Sequence, residues 1–174
     1  MDLSNYEKSA TYRARMVLRK AEELCRERKY ASITPCVIFA AITMLEKDFL
    51  LEFCDRCGLD FNNVCKACEL ELGEIQTVDD VCDCKLSESA QELLSAVMRE
   101  YSMRYVLELE REINVDRLMA ALLSCAEMKS VFGTNYTTPG FLHFDTLTGE
   151  FITLDRIEGK YSDKEIFIGN IDYF

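Results

Sequence analysis

One apolar segment decides the fold of this chain, and it reads ITPCVIFAAITML from Ile33 to Leu45. Thr34 offers a hydroxyl that can cap a helix, and Pro35 suits the first helical position because an N–H there would have no helical partner. The residues that follow are apolar on nearly every side of a helix, so we expect this helix to be central and buried. The uncharged run from Tyr30 to Leu45 has 16 residues, fewer than the roughly 20 that span a bilayer. The segment therefore predicts a core helix and not a membrane helix.

Amphipathic helices are predicted on both sides of this segment. Apolar residues recur at three- and four-residue spacing from Thr11 to about Lys29, which is typical of a helix with one buried face. A third helix is expected to end at Gly58, and a fourth to begin after Asp60 and to end before Gly73. The first seventy or so residues thus predict four helices.

The helical pattern starts again after an acidic connector. Ser87 can cap a helix, and Asn114 can cap an apolar helix that lies eighty positions after Thr34. Residues 14–21 match residues 90–97 at a spacing of seventy-six. We interpret this as an internal duplication, because one helical hairpin cannot cover its own apolar face whereas two copies packed together can.

The composition changes after Phe132, where β-branched and aromatic residues alternate with turn-forming ones. Residues 141–154 predict a β-hairpin, and residues 165–171 a third strand. The predicted fold class is all-α, a duplicated four-helix repeat with a small β-prone C-terminal tail. The predicted domains are a double helical repeat over 1–132, with repeat 1 at about 10–73 and repeat 2 at about 86–132, and an extension over 133–174 that contains the hairpin.

The charge of the chain narrows the class of partner. The 174 residues carry a net charge of -11, and most of the excess acid lies between residues 41 and 100. Binding to nucleic acid or to an anionic membrane needs clustered positive charge, so we expect neither partner. The first eight residues contain no apolar run of the kind that a secretory signal has, so we expect a cytoplasmic protein.

The order of these features resembles the Clp amino-terminal domain, the duplicated helical module that precedes the ATPase rings of Clp-type protein unfoldases. The resemblance lies in the spacing of several short motifs over residues 10–132. They are Ala14-Arg15-Met16-Val17-Leu18, Ala21-Glu22-Glu23, Tyr30, Ile33-Thr34-Pro35, Phe53, Gly58-Leu59-Asp60, Leu86-Ser87, Ala90, Leu93-Leu94 and the helix from Asn114.

The chain also departs from that family. The family usually carries Glu-His after the Thr-Pro-like turn, where this chain has Cys36-Val37 and, in the second copy, Asp116-Arg117, so we expect a different surface chemistry there. Counterparts of the last helices of the second repeat are not predicted, and the β-prone tail takes their place. No phosphate-binding loop of the form Gly-x-x-x-x-Gly-Lys-Ser/Thr occurs, so the chain is expected to be a stand-alone module without ATPase rings.

The nine cysteines permit a second interpretation. Cys54 and Cys57 form one C-x-x-C pair, Cys65 and Cys68 form another, and four thiolates could hold a structural zinc ion. The same residues fall on the apolar stripes of predicted helices, and free cysteine behaves as a small hydrophobe, so core packing is the favoured interpretation. The only histidine, His143, lies in the predicted hairpin, and no catalytic, cofactor-binding or metal residue is assigned.

The resemblance implies a non-enzymatic protein-interaction module without a cofactor, similar to the domain that docks substrates or adaptors for Clp unfoldases. The expected partner is a helix or peptide of another protein, such as a Clp-type ATPase or its substrate. The alternative is a small zinc-binding regulatory protein that uses the paired cysteines.

Overall fold

The structure is a computed structural model that describes residues 3–80, 83–104, 113–133, 143–145 and 150–152. Within these ranges, the backbone alone is described for residues 56–57, 99–104 and both strands. The elements are α1 (Ser4–Glu7), α2 (Tyr12–Glu27), α3 (Pro35–Leu45), α4 (Lys47–Cys57), α5 (Phe61–Glu74), α6 (Glu88–Arg104), α7 (Val115–Ser124), a 3-10 turn (Ala126–Met128), α8 (Lys129–Phe132), β1 (His143–Asp145) and β2 (Glu150–Ile152). The predicted fold class, an all-α protein with a small β-prone tail, is confirmed.

Four helices begin at the capping residues that the sequence predicts. Thr34 Oγ1 accepts a hydrogen bond from the Val37 N–H at 3.4 Å, and Asp60 Oδ1 accepts one from the Asn63 N–H at 2.9 Å. In the second half, Ser87 Oγ and Asn114 Oδ1 accept from backbone N–H groups three residues ahead, at 3.2 and 2.9 Å. Each side chain satisfies one N–H that has no partner inside its helix, which fixes where the helix starts.

The ends of α4 and α5 differ in a way that corrects one prediction. Gly58 follows α4 with φ of 68°, the left-handed conformation that a glycine adopts at low cost after a helix. Gly73 was also expected to stop a helix, but α5 continues through it to Glu74. Gly73 does not adopt the left-handed conformation of Gly58, and the chain becomes extended only at Ile75, which packs against the core.

Helical structure in the second half extends further than the sequence predicts. The 3-10 turn and α8 occupy residues 126–132, where no counterpart of the earlier helices was expected. Phe132, at the end of α8, places its ring edge-on to that of Phe39 with the centroids 5.2 Å apart. A contact with α3, which is distant in sequence, therefore accompanies this short helix.

Helix α3 lies at the centre of the core, as predicted. Every side chain from Pro35 to Ile42 is buried, and α3 packs against α2, α4, α5, α6 and α7. This burial of apolar area is the main source of stability available to the bundle. Within the described residues, no helix is long and apolar enough to cross a membrane.

Two corresponding backbone hydrogen bonds join the halves of the domain. The N–H of Thr11 donates to the Ile113 carbonyl at 2.9 Å, and the N–H of Ser87 donates to the Ile33 carbonyl at 2.9 Å. Each bond links the residue before the first helix of one half to the residue before the N-cap of the apolar helix in the other half. Because each half supplies both kinds of segment, the two halves hold each other reciprocally.

The tail contains a short antiparallel pairing of β1 with β2. His143 lies opposite Ile152, and Phe144 opposite Phe151, within the segment predicted as a hairpin. The third predicted strand, residues 165–171, lies outside the described residues. The domain and repeat boundaries remain predictions.

Candidate functional site

Large apolar side chains are exposed at one end of the α2–α3 pair. Tyr12 and Met16, one turn apart on α2, are 75% and 38% exposed; Met44 and Leu45, the last residues of α3, are 45% and 43% exposed. We call these four residues the apolar end face. Exposed apolar groups that occur singly are ordinary, but four at one end of a helix pair mark a candidate interaction surface.

An ion pair fixes the two helices at this face. The guanidinium of Arg13 donates from Nε to Glu46 Oε1 at 2.9 Å and from Nη2 to Glu46 Oε2 at 2.6 Å. The hydrogen bond to Glu46 raises the pKa of Arg13, while partial burial opposes the rise. The same guanidinium lies 5.8 Å from the centre of the Phe49 ring. A two-pronged bond of this kind sets direction as well as distance, so it holds the start of α2 against the end of α3.

The second half contributes a carboxyl group near this ion pair. Burial raises the pKa of Asp116, although the positive charges of Arg13 and Arg117 lower it in part. Asp116 and Arg117 are the second-copy positions where the family usually carries Glu-His. The corresponding first-copy residues, Cys36 and Val37, are buried. The expectation of a distinct surface chemistry is therefore wrong for the first copy, because its two residues face the core.

The opposite end of the α2–α3 pair carries a different set of contacts. Arg28, just after α2, donates from Nη1 to Glu69 Oε2 at 3.3 Å, and Cys36 in the first turn of α3 contacts Cys68. These contacts place the second half of α5 at the far end from the apolar end face. Leu70 lies in that part of α5 with 74% of its surface exposed, so it matches Tyr12 in exposure at a remote position.

The paired cysteines of the zinc hypothesis divide between core and surface. Cys54 and Cys68 are buried at 1% and 3% exposure, as core packing predicts, and Cys65 is half-buried. The side chain of Cys57 lies outside the described residues. Among the side chains that are described, no group of three or more His, Cys, Asp or Glu is placed to hold a metal ion. The zinc hypothesis stays a prediction, as does the absence of a catalytic role for His143, whose side chain is not described.

The structure contains two thiol contacts that the sequence does not predict. Cys36 Sγ and Cys68 Sγ lie 3.7 Å apart in the core. Cys25 has a pKa raised to about 12, first by burial and then by a hydrogen bond with Cys84. The C-x-x-C spacing gave no indication of either contact, because each joins cysteines from different segments of the chain. Helical periodicity places a residue on a face but does not say which residue of another helix it meets.

Comparison with known proteins finds a matching family and solved structures with a similar fold. A family model of the Clp repeat (R) N-terminal domain matches residues 9–132. The structure is similar to the Hsp104 N-terminal domain from Candida albicans, with 17% identity, a TM-score of 0.62, and coverage of 72% of this chain and 80% of that one. It is also similar to the N-terminal domain of the ClpV1 ATPase from the E. coli EAEC Sci1 T6SS, with 17% identity, a TM-score of 0.61, and coverage of 76% and 82%.

A third similar structure is a complex of the ClpV N-domain with a VipB peptide. It has 17% identity, a TM-score of 0.60, and coverage of 76% of this chain and 82% of that one. At these identities the solved structures establish the shared fold. The comparison with curated proteins gives no significant match. The family model covers more than half of the sequence, and the chain therefore belongs to the Clp repeat (R) N-terminal domain family.

Proposed function

We propose that this chain is a non-enzymatic docking module that binds a helix or an extended peptide of a partner protein at the apolar end face. The observation that carries the proposal is the exposure of Tyr12, Met16, Met44 and Leu45 beside a fixed ion pair. A partner helix would lay apolar residues spaced three or four apart against this face, as amphipathic helices do in hydrophobic grooves.

Family membership supports a role in binding. The similar ClpV N-domain was solved with a VipB peptide, so this fold accommodates a peptide of another protein. The partner that we propose for the present chain is a Clp-type ATPase or one of its substrates.

The side chains of the face suit a peptide site in their physical character. Met16 and Met44 are unbranched and polarizable, so they adapt to different apolar partners. Tyr12 offers a large apolar ring with a hydroxyl at its edge, a combination that is common where one side of a contact is wet. Arg13 and Glu46 neutralise each other directly beside these residues, so a partner that covers this pair buries no unpaired charge from it.

A capture experiment with matched baits tests the proposal. Three baits are immobilised: the wild-type chain, a Tyr12→Ser/Met44→Ser variant and a Leu70→Ser variant. Mass spectrometry quantifies the proteins that each bait recovers from a cell lysate. Leu70→Ser removes an equally exposed apolar side chain at the far end, so it controls for a non-specific loss of binding caused by less exposed apolar surface. We expect a defined partner to be recovered by the wild type and by Leu70→Ser and to be depleted at least tenfold by the double variant. Equal recovery on all three baits, or recovery of no defined protein, would contradict the proposal.

A further inference from the structure

The thiols of Cys36 and Cys68 are in contact inside the core. The two sulfurs lie 3.7 Å apart, and they come from the first turn of α3 and the middle of α5. Each thiol also lies near the main chain of the other residue, with Cys36 Sγ 3.7 Å from the Cys68 carbonyl oxygen and Cys68 Sγ 4.0 Å from the Cys36 carbonyl oxygen. The contact is therefore reciprocal and involves both backbones.

We propose that Cys36 and Cys68 are a modification site, at which hydrogen peroxide converts the dithiol into an intramolecular disulfide between α3 and α5. The inference goes beyond the proposed docking function and does not depend on it. A disulfide has an S–S length near 2.05 Å, so the sulfurs must approach by roughly 1.7 Å. The two helices that carry these residues already pack against each other.

The chemistry balances in two steps. In the first, a Cys36 thiol reacts with one peroxide molecule, so that an S–O bond forms, the O–O bond breaks and water leaves. In the second, the sulfur of Cys68 attacks the sulfenic sulfur of Cys36, the S–S bond forms, the S–O bond breaks and a second water leaves. Two thiols are oxidised, one peroxide is reduced, and the chain loses two hydrogen atoms.

The order of the two residues follows from their positions. Cys36 lies in the first turn of α3 and is 6% exposed compared with 3% for Cys68, so we assign the first step to Cys36. The hydrogen bond with Cys36, and then burial, raise the pKa of Cys68. Since both sulfurs are buried, we expect the cross-link to form over minutes to hours and not as a rapid response.

The loop that the disulfide would close contains nearly all of α3, the whole of α4 and the first half of α5. Cross-linking two residues 32 positions apart restricts the unfolded chain, so the oxidised protein should resist unfolding better than the reduced one. We expect the melting temperature to rise by about 5 °C or more on oxidation and to return after reduction.

Peptide mapping of the unaltered protein tests the proposal directly. The folded chain is treated with hydrogen peroxide, blocked with an alkylating reagent, and digested with trypsin and a Glu-specific protease. This digestion leaves Cys36 as the sole cysteine of residues 30–46 and Cys68 as the sole cysteine of residues 67–69. We expect these two peptides to be recovered as a cross-linked pair that dithiothreitol separates. Recovery of both as separate alkylated, sulfinic or sulfonic peptides after several hours would overturn the proposal.

Two cysteine variants provide a second test of the disulfide. Cys65→Ala removes a half-buried thiol one turn earlier in α5, so it serves as the matched control for Cys68→Ala. We expect the control to retain both the cross-link and the rise in melting temperature, and Cys68→Ala to lose both. A rise in melting temperature that survives in Cys68→Ala would assign the effect to other cysteines and contradict the inference.

Discussion

The guanidinium of Arg13 and the carboxylate of Glu46 form two hydrogen bonds, of 2.9 and 2.6 Å, across 33 positions of the chain. The bond closes the α2–α3 hairpin at the end where Tyr12, Met16, Met44 and Leu45 are exposed. The second half has a corresponding link, because Ser89 Oγ donates to Glu127 Oε2 at 2.6 Å. In each half, a residue in the first turn of α2 or α6 is thus tied to a glutamate within three residues of the end of α3 or α7.

Replacing Arg13 tests what this tie contributes. Arg13→Ala removes the ion pair and the contact with the Phe49 ring, and we expect the free energy of unfolding to fall by about 1 kcal/mol, because the arginine is largely exposed and solvent screens its charge. Arg13→Lys should lie between the alanine variant and the wild type, since lysine keeps the charge and loses the planar fork. Urea unfolding measures all three. An alanine variant as stable as the wild type would show that the ion pair orients α2 relative to α3 without contributing to the free energy of unfolding.

Two glycines form a matched pair for testing backbone strain. A Cβ atom added at Gly73 or Gly133 would meet nothing within 4 Å, but Gly133 has φ of +70° and Gly73 lies inside α5. Gly73→Ala should therefore raise the free energy of unfolding by about 0.5–1 kcal/mol. Gly133→Ala should lower it by about 1 kcal/mol, because alanine pays a steric cost in the left-handed conformation. Thermal unfolding of both variants measures the contrast, and a shift of the same sign in both would refute it.

The cap of α7 is a third target. Asn114→Ala removes the acceptor of the Arg117 N–H, so we expect a loss of about 1 kcal/mol in the free energy of unfolding. Asn114→Ser retains a capping oxygen, so its free energy of unfolding should fall by only a small part of that amount. Chemical denaturation compares the two, and equal losses would mean that the side chain acts through packing and not as a cap.

Asp116 predicts a dependence of stability on pH. Its folded-state pKa is raised, chiefly by burial, above the ordinary value of 3.8, so protonation favours the folded state. This contribution is fully present below pH 3.8 and is lost as the pH rises through the folded-state pKa. The wild-type free energy of unfolding minus that of Asp116→Asn should therefore decrease over that interval. Denaturation at a series of pH values gives the difference; a difference that increases with pH would show that Arg13 and Arg117 dominate over burial.

Much of this fold could be predicted from local signals. The caps at Thr34, Asp60, Ser87 and Asn114 lie where the sequence places them, because capping depends on a side chain and on N–H groups a few residues away. The burial of α3 followed from its composition alone. Short-range physics determines both features, so a single sequence is sufficient for them.

The remaining features depend on contacts between distant segments. Gly73 carries the local signal of a helix end, yet α5 continues through it, and the chain becomes extended only at Ile75, which packs against the core. Residues 129–132 have no strong periodicity of their own, and Phe132 packs on Phe39, ninety-three positions earlier. The candidate site was missed for the same reason. The apolar spacing from Thr11 to about Lys29 predicts one buried helix face, but the structure leaves Tyr12 and Met16 exposed.

Site-specific photo-crosslinking tests the central claim most directly. A photoreactive phenylalanine analogue is placed at position 12 or, as the control, at position 70, and each protein is irradiated with the partner that the capture experiment identifies. The account predicts a cross-link from position 12 to one contiguous apolar segment of the partner and little or none from position 70. A cross-link of equal yield from both positions, or from position 70 alone, would contradict docking at the apolar end face.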